Sequence, residues 1–328
     1  MRLSSLQRAM KARSPQSNGA LLSVVLIGVA AATAQGTPTQ TTPKPTPPPT
    51  PKAFCHGKAA TIVGTPGDDT LTGTSGPDVI SGGGGNDNIS GAGAEDTICG
   101  DAGNDTISGG AGNDDLDGGD GNDSMDGGDG NDMMAGGNGA DVMTGLAGND
   151  NMSGGAGDDR ISGVDGDDTL SGGLDNDLIE GGDGDNTIRG DAGNDDLRGG
   201  GGVDDVSGGT GADQIDAGAG DDRGYGGDGN DDIEGGPGDD DFKGLMGDDK
   251  IQGGEGDDRL RGDSGDDEIH GSDGDDEIRG DSDGDTLSGD GGFDDIKGFS
   301  GDDHVNGGDG TDSCSQGSGN GSINKCEK

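Results

Sequence analysis

The sequence predicts an all-β solenoid of 28 nonapeptide units, two to a coil, and three observations carry that expectation. Residues 64–315 divide into nine-residue units without one insertion or deletion. Each unit couples a glycine-rich stretch to a single isolated apolar residue. Hydrophobic residues make up only 24% of the chain, with no tryptophan, one tyrosine and four phenylalanines. So little apolar surface cannot build a layered globular core. Composition alone would indicate disorder, but a phase held over 28 units marks a specified structure.

The elements before the array differ from it. Arg2, Arg8, Lys11 and Arg13 give a basic start, and Ala20 to Ala32 is a short apolar run. Ala32-Thr33-Ala34 supplies the small residues of a cleavage site, so residues 1–34 are expected to be a signal peptide. An uncleaved anchor is the alternative, but the run falls short of the roughly 20 residues a spanning helix needs. Residues 35–52 are a Thr/Pro-rich linker (Pro47-Pro48-Pro49, Pro51), which favours an extended, stiff spacer. Residues 53–63 are expected to cap the array at its start, and 316–328 at its end.

Inside the array each position has a physical reason. Position one is Gly in 27 units, with Ala217 the exception. Position four is Gly in 25, with Ala94, Asp175 and Asp283 departing. Glycine serves where φ must be positive or backbones approach closely, so positions one to six are expected to form a tight turn. Positions seven to nine read x-U-x, a very short strand with one side chain inward. A turn after every strand reverses direction, so two units make an 18-residue coil. Unit n then stacks on unit n+2, strand on parallel strand.

Position six is Asp in 27 units, with Asn186 departing, and stacking puts these residues in two ladders. One edge carries Asp69, Asp87, Asp105, Asp123, Asp141, Asp159, Asp177, Asp195, Asp213, Asp231, Asp249, Asp267, Asp285 and Asp303. The other carries Asp78, Asp96, Asp114, Asp132, Asp150, Asp168, Asp204, Asp222, Asp240, Asp258, Asp276, Asp294 and Asp312. Carboxylates repeating at roughly 4.8 Å repel unless cations lie between them. Carboxylate and carbonyl oxygens are hard ligands, and a flexible all-oxygen cage favours Ca²⁺ over octahedral Mg²⁺.

Units such as GGDGNDSMD (118–126) and GGDGNDMMA (127–135) resemble the RTX, or haemolysin-type calcium-binding, repeat family over residues 64–315. The resemblance implies a right-handed parallel β-roll with Ca²⁺ between turns of successive coils. It also implies that the position-six aspartates are the side-chain ligands and that turn carbonyls supply the rest. The flanks, with Cys55-His56-Gly57 at one end and Cys314 and Cys326 at the other, look like secreted actinobacterial members.

Thirteen gaps along each edge allow at most 26 ions. The array holds 67 acidic and ten basic residues, a net of −57, against −49 for the whole chain. Filling every gap adds +52 and leaves about −5, so the charge is nearly what the ions neutralise. A coil-like calcium-free chain and a β-rich calcium form follow. Three units depart where it matters: Asn186 is expected to weaken the two sites it shares with Asp168 and Asp204, Asp283-Gly284 reverses a Gly-x pair, and Asp175 removes a turn glycine; the alternative for all three is drift that a long array tolerates. Met125, Met134, Met143 and Met152 occupy the inward phase as core filler. Gly224 leaves a hole there, with Phe242, one coil on, as its expected filler and Tyr225 as second candidate.

Four cysteines allow three pairings. Fourteen coils make a rod of about 67 Å, and disulfides need Cα atoms within about 7 Å. Cys55 lies near one end and Cys314 and Cys326 at the other, which leaves Cys55–Cys99 and Cys314–Cys326. Such bridges agree with export to an oxidising compartment.

The function expected is a secreted calcium-binding module with a structural or interaction role. A calcium-dependent adhesin or surface-associated rod is the alternative. Residues 35–63 and 316–328 are too short for a catalytic domain, and no nucleophile–base set stands outside the repeat, so an enzyme is not expected. Calcium ions are the natural partners of so acidic a chain; nucleic acid and membrane insertion are not expected.

Overall fold

The computed structural model describes residues 53–326. The expected signal peptide and Thr/Pro linker lie outside the described residues. Among the described residues the regular elements are all strands. They form two 15-stranded parallel sheets and one antiparallel hairpin, Phe54–Cys55 with Lys58–Ala59. Successive strands alternate between the sheets, and each pairs with the strand two units on at an offset of 18 residues. Met125 thus lies opposite Ile107 on one side and Met143 on the other. This is a parallel β-roll with two units per coil, as the sequence predicts. Short strands at Ile62–Val63 and Ser322–Asn324 continue the two sheets beyond the array.

The division between strand and turn differs from the expectation. Most strands run six residues rather than three, from position seven to position three of the next unit, as in Thr106–Ala111. The ladder skips position one but resumes, with Gly110 opposite Gly128 and Ala111 opposite Asp129. Glycine at position one therefore bends the strand without ending its pairing. It is glycine because of space: a Cβ on Gly109 would overlap the Asp114 carboxylate and the Gly127 carbonyl of the next coil. The turn proper is positions four to six. There Gly112 has φ +138°, and the three exceptions Ala94, Asp175 and Asp283 keep φ at +84°, +75° and +76°. These substitutions thus preserve the turn, at the modest cost a left-handed conformation imposes on a side chain.

The core is one inward column per sheet, running from Ile80 to Val305 and including the four methionines. Beside Gly224, Phe242 Cε1 lies 3.0 Å from where a Cβ would stand, and Phe242 is fully buried. Phe242 fills the hole; Tyr225 faces outward under the Lys243 ammonium, 5.7 Å from its ring. Both expected disulfides are present, with Cα atoms 5.6 and 5.8 Å apart. The first clips the hairpin to Cys99, and Lys58 Nζ donates to Thr97 Oγ1 at 2.7 Å.

Candidate metal centre

The position-six aspartates are held by their own backbone geometry. Asp123 is typical. Its Oδ1 accepts the Asp105 N–H at 2.7 Å, and its own N–H donates to Asp141 Oδ1 at 2.7 Å. Its carbonyl accepts the Val142 N–H at 2.9 Å. The same clasp links every coil to the next along both edges, so Oδ1 has a backbone donor from the second coil onward. In 25 of the 27 aspartates, from Asp87 to Asp312, Oδ2 is buried and has no hydrogen-bond partner.

The one asparagine in the column shows what Oδ2 faces. Asn186 keeps the clasp, its Oδ1 accepting the Asp168 N–H at 3.0 Å. Its Nδ2, in the Oδ2 position, donates to the position-four carbonyl of Gly184 at 3.1 Å. With aspartate in that place, two oxygens confront each other with no proton between them. A buried acceptor left unpaired costs about 2 kcal/mol, and the ladders hold 25 of them. Positive charge brought to these oxygens, by protons or by cations, relieves such an arrangement. The donors, carboxylate Oδ2 and turn carbonyl, are hard oxygens of the kind Ca²⁺ takes.

Electrostatics point the same way. Burial pushes the carboxyls of Asp123, Asp132 and Asp150 up to about 6, against the opposing pull of the N–H bond from the preceding coil. Asp177, Asp222, Asp258, Asp267 and Asp285 reach about 7, with neighbouring carboxylates adding to burial. Without a cation the site resists carrying its charge.

The structure places all 27 predicted aspartates on the two edges, but not all alike. Asp69 and Asp78, in the first coil, are half-buried, and their Oδ2 atoms are satisfied. Three features go beyond the sequence reading. One is which turn carbonyl faces the side chain, that of position four, where the resemblance implied only carbonyls of the turn. The second is a position-five ladder running opposite to the clasp, in which Asn104 Oδ1 accepts the Asn122 N–H at 3.0 Å. The prevalence of Asn and Asp at that position was its visible signal. The third is the pair Thr65 and Thr74, which stand at position two just before the Asp69 and Asp78 they bind. Elsewhere, exposed His56 sits between Asp115 (Nδ1–Oδ1 2.7 Å) and Asp117 (Nε2–Oδ2 3.1 Å), which raise its pKa. Cys99 lies in the same cluster but is bound in its disulfide and offers no thiolate. No helix among the described residues is long and apolar enough to cross a membrane.

Fold and ladders together define a class: a parallel β-roll whose stacked turns each bury a carboxylate oxygen that has no protein donor. The model of the RTX calcium-binding nonapeptide repeat matches in overlapping segments from residues 63–98 to 279–314, which together span 63–314. The chain belongs to that family, whose repeats bind calcium. No curated protein matches it.

Proposed function

We propose that the chain is a secreted protein that folds on binding Ca²⁺ through the position-six aspartates and serves as a structural or interaction module without catalytic activity. The observation that carries this reading is the set of 25 buried Oδ2 atoms with no protein partner. Each aspartate would hold the ion by Oδ2, position-four carbonyls would add ligands, and the ions would supply positive charge that permits coils to stack. Binding free energy is then folding free energy. Affinities of about 10⁻⁴–10⁻³ M, usual for extracellular calcium modules, suit a chain that folds only after export. The proposed export rests on the leader-like first 34 residues and on two disulfides. Calcium titration followed by far-ultraviolet circular dichroism tests the coupling. A cooperative rise of β-signal is expected, and full β-structure in excess chelator would refute it.

A further inference from the structure

Three turns of the array are built differently from the other 25, and each has a proton donor where the others have none. In the first, the Thr65 N–H donates to Asp69 Oδ2 at 2.5 Å, and the Thr65 hydroxyl lies 2.8 Å from the same oxygen. The hydroxyl also stands 3.2 Å from the position-four carbonyl of Gly67. The second repeats this: Thr74 N–H to Asp78 Oδ2 at 2.6 Å, its hydroxyl at 2.9 Å, and Gly76 O at 3.2 Å. The hydroxyl thus fills the space between carboxylate and carbonyl.

The backbone agrees. The other non-glycine residues at position two, from Ala92 to Phe299, have φ between +66° and +91°. Thr65 and Thr74 are not among the positive-φ residues, so the first-coil turns follow a different path. The third turn is that of Asn186, whose Oδ1 is taken by the Asp168 N–H and whose Nδ2 is bound to Gly184 O. An amide nitrogen so placed offers a cation no lone pair.

Resting on the calcium reading above, we infer that the turns at Thr65, Thr74 and Asn186 are closed by protons and take no ion. The array then begins on a coil whose two turns need no calcium, and one ladder is interrupted once, at Asn186. The first coil is also the end that the Cys55–Cys99 bridge and the hairpin secure. Ion-dependent coils therefore stack onto a start that is independent of ion concentration.

The test is a gain of sites. Calcium-saturated full-length protein and its variants are weighed by native mass spectrometry to count bound ions. Asn186→Asp restores an Oδ2 opposite Gly184 O and is expected to bind one more ion than the unaltered chain. Thr65→Gly with Thr74→Gly restores the glycine of later units, frees both carboxylates and is expected to add at least one. Asn186→Ala, which supplies neither donor nor ligand, is expected to leave the count unchanged. Equal counts in the unaltered, Asn186→Asp and double-glycine proteins would overturn the inference while leaving the calcium reading intact. Absence of bound calcium from the unaltered chain would overturn both.

Discussion

Replacing Asp213 by asparagine separates the two jobs of a position-six carboxylate. Asp213 Oδ1 accepts the Asp195 N–H at 2.9 Å, and its own N–H donates to Asp231 Oδ1 at 2.9 Å. Its Oδ2 is buried without a partner. Asparagine keeps Oδ1 and puts an amide in place of Oδ2, able to donate to the Gly211 carbonyl as Asn186 does to Gly184. Two effects of opposite sign follow. At low calcium the variant loses an unpaired buried oxygen, which relieves about 1–3 kcal/mol of strain on the local fold. At calcium one hundred times Kd it forgoes one ion, worth about 2.7 kcal/mol. Asp213→Ala forgoes the ion too and also strips the Asp195 N–H of its acceptor, a further cost of about 1–3 kcal/mol at every calcium concentration. Hydrogen exchange at the amides of Asp195 and Asp231, followed across a calcium titration, reads these terms locally. Asparagine should exceed aspartate in protection at low calcium and fall below it at saturation, with alanine below asparagine throughout. An asparagine variant that matches the unaltered chain at both ends of the titration would refute the reasoning.

Three other outcomes are expected. Because burial raises many of the ladder carboxyls above 3.8, that of Asp123 to about 6 and that of Asp177 to about 7, the metal-free rod holds protons more tightly than the unfolded chain. Its stability is therefore fully present below about pH 4 and is lost as pH rises through the folded values, so calcium-stripped protein should gain β-signal in circular dichroism on acidification from pH 8 to 4. Gly224→Ala would drive a methyl into the Val206 carbonyl and against Phe242, and should lower stability by about 1–3 kcal/mol in calcium, visible as a lower melting temperature. Reducing Cys55–Cys99, 44 residues apart, should cost about 4 kcal/mol by loop entropy, and Cys314–Cys326, 12 apart, about 3. Exchange should then speed up at the respective ends of the roll and little in its middle.

Much of the fold was legible because the repeat is written one residue at a time. The Asp87 column, the methionines of the core and both cysteine pairs follow from phase and stacking distance alone. What the sequence hid lies in the backbone. The strand is six residues long because Gly110 and Ala111 go on pairing after the bend at Gly109, and glycine carries no side-chain pattern that reveals a ladder. The role of Asn186 was legible as a departure but not as a solution. Only the Gly184 carbonyl at 3.1 Å shows that the amide supplies a donor where aspartate has none. Thr65 and Thr74 were hidden in the same way, since a threonine at a variable turn position has meaning only once its distance to Asp69 or Asp78 is known.

Anomalous difference density from crystals grown in calcium examines the central claim most directly. Peaks are expected between successive turns of both ladders, each touching an Oδ2 such as that of Asp123 and a position-four carbonyl, with gaps at Asn186 and in the first coil. Ladders without peaks, their Oδ2 atoms bonded instead to water or to protein donors, would contradict it.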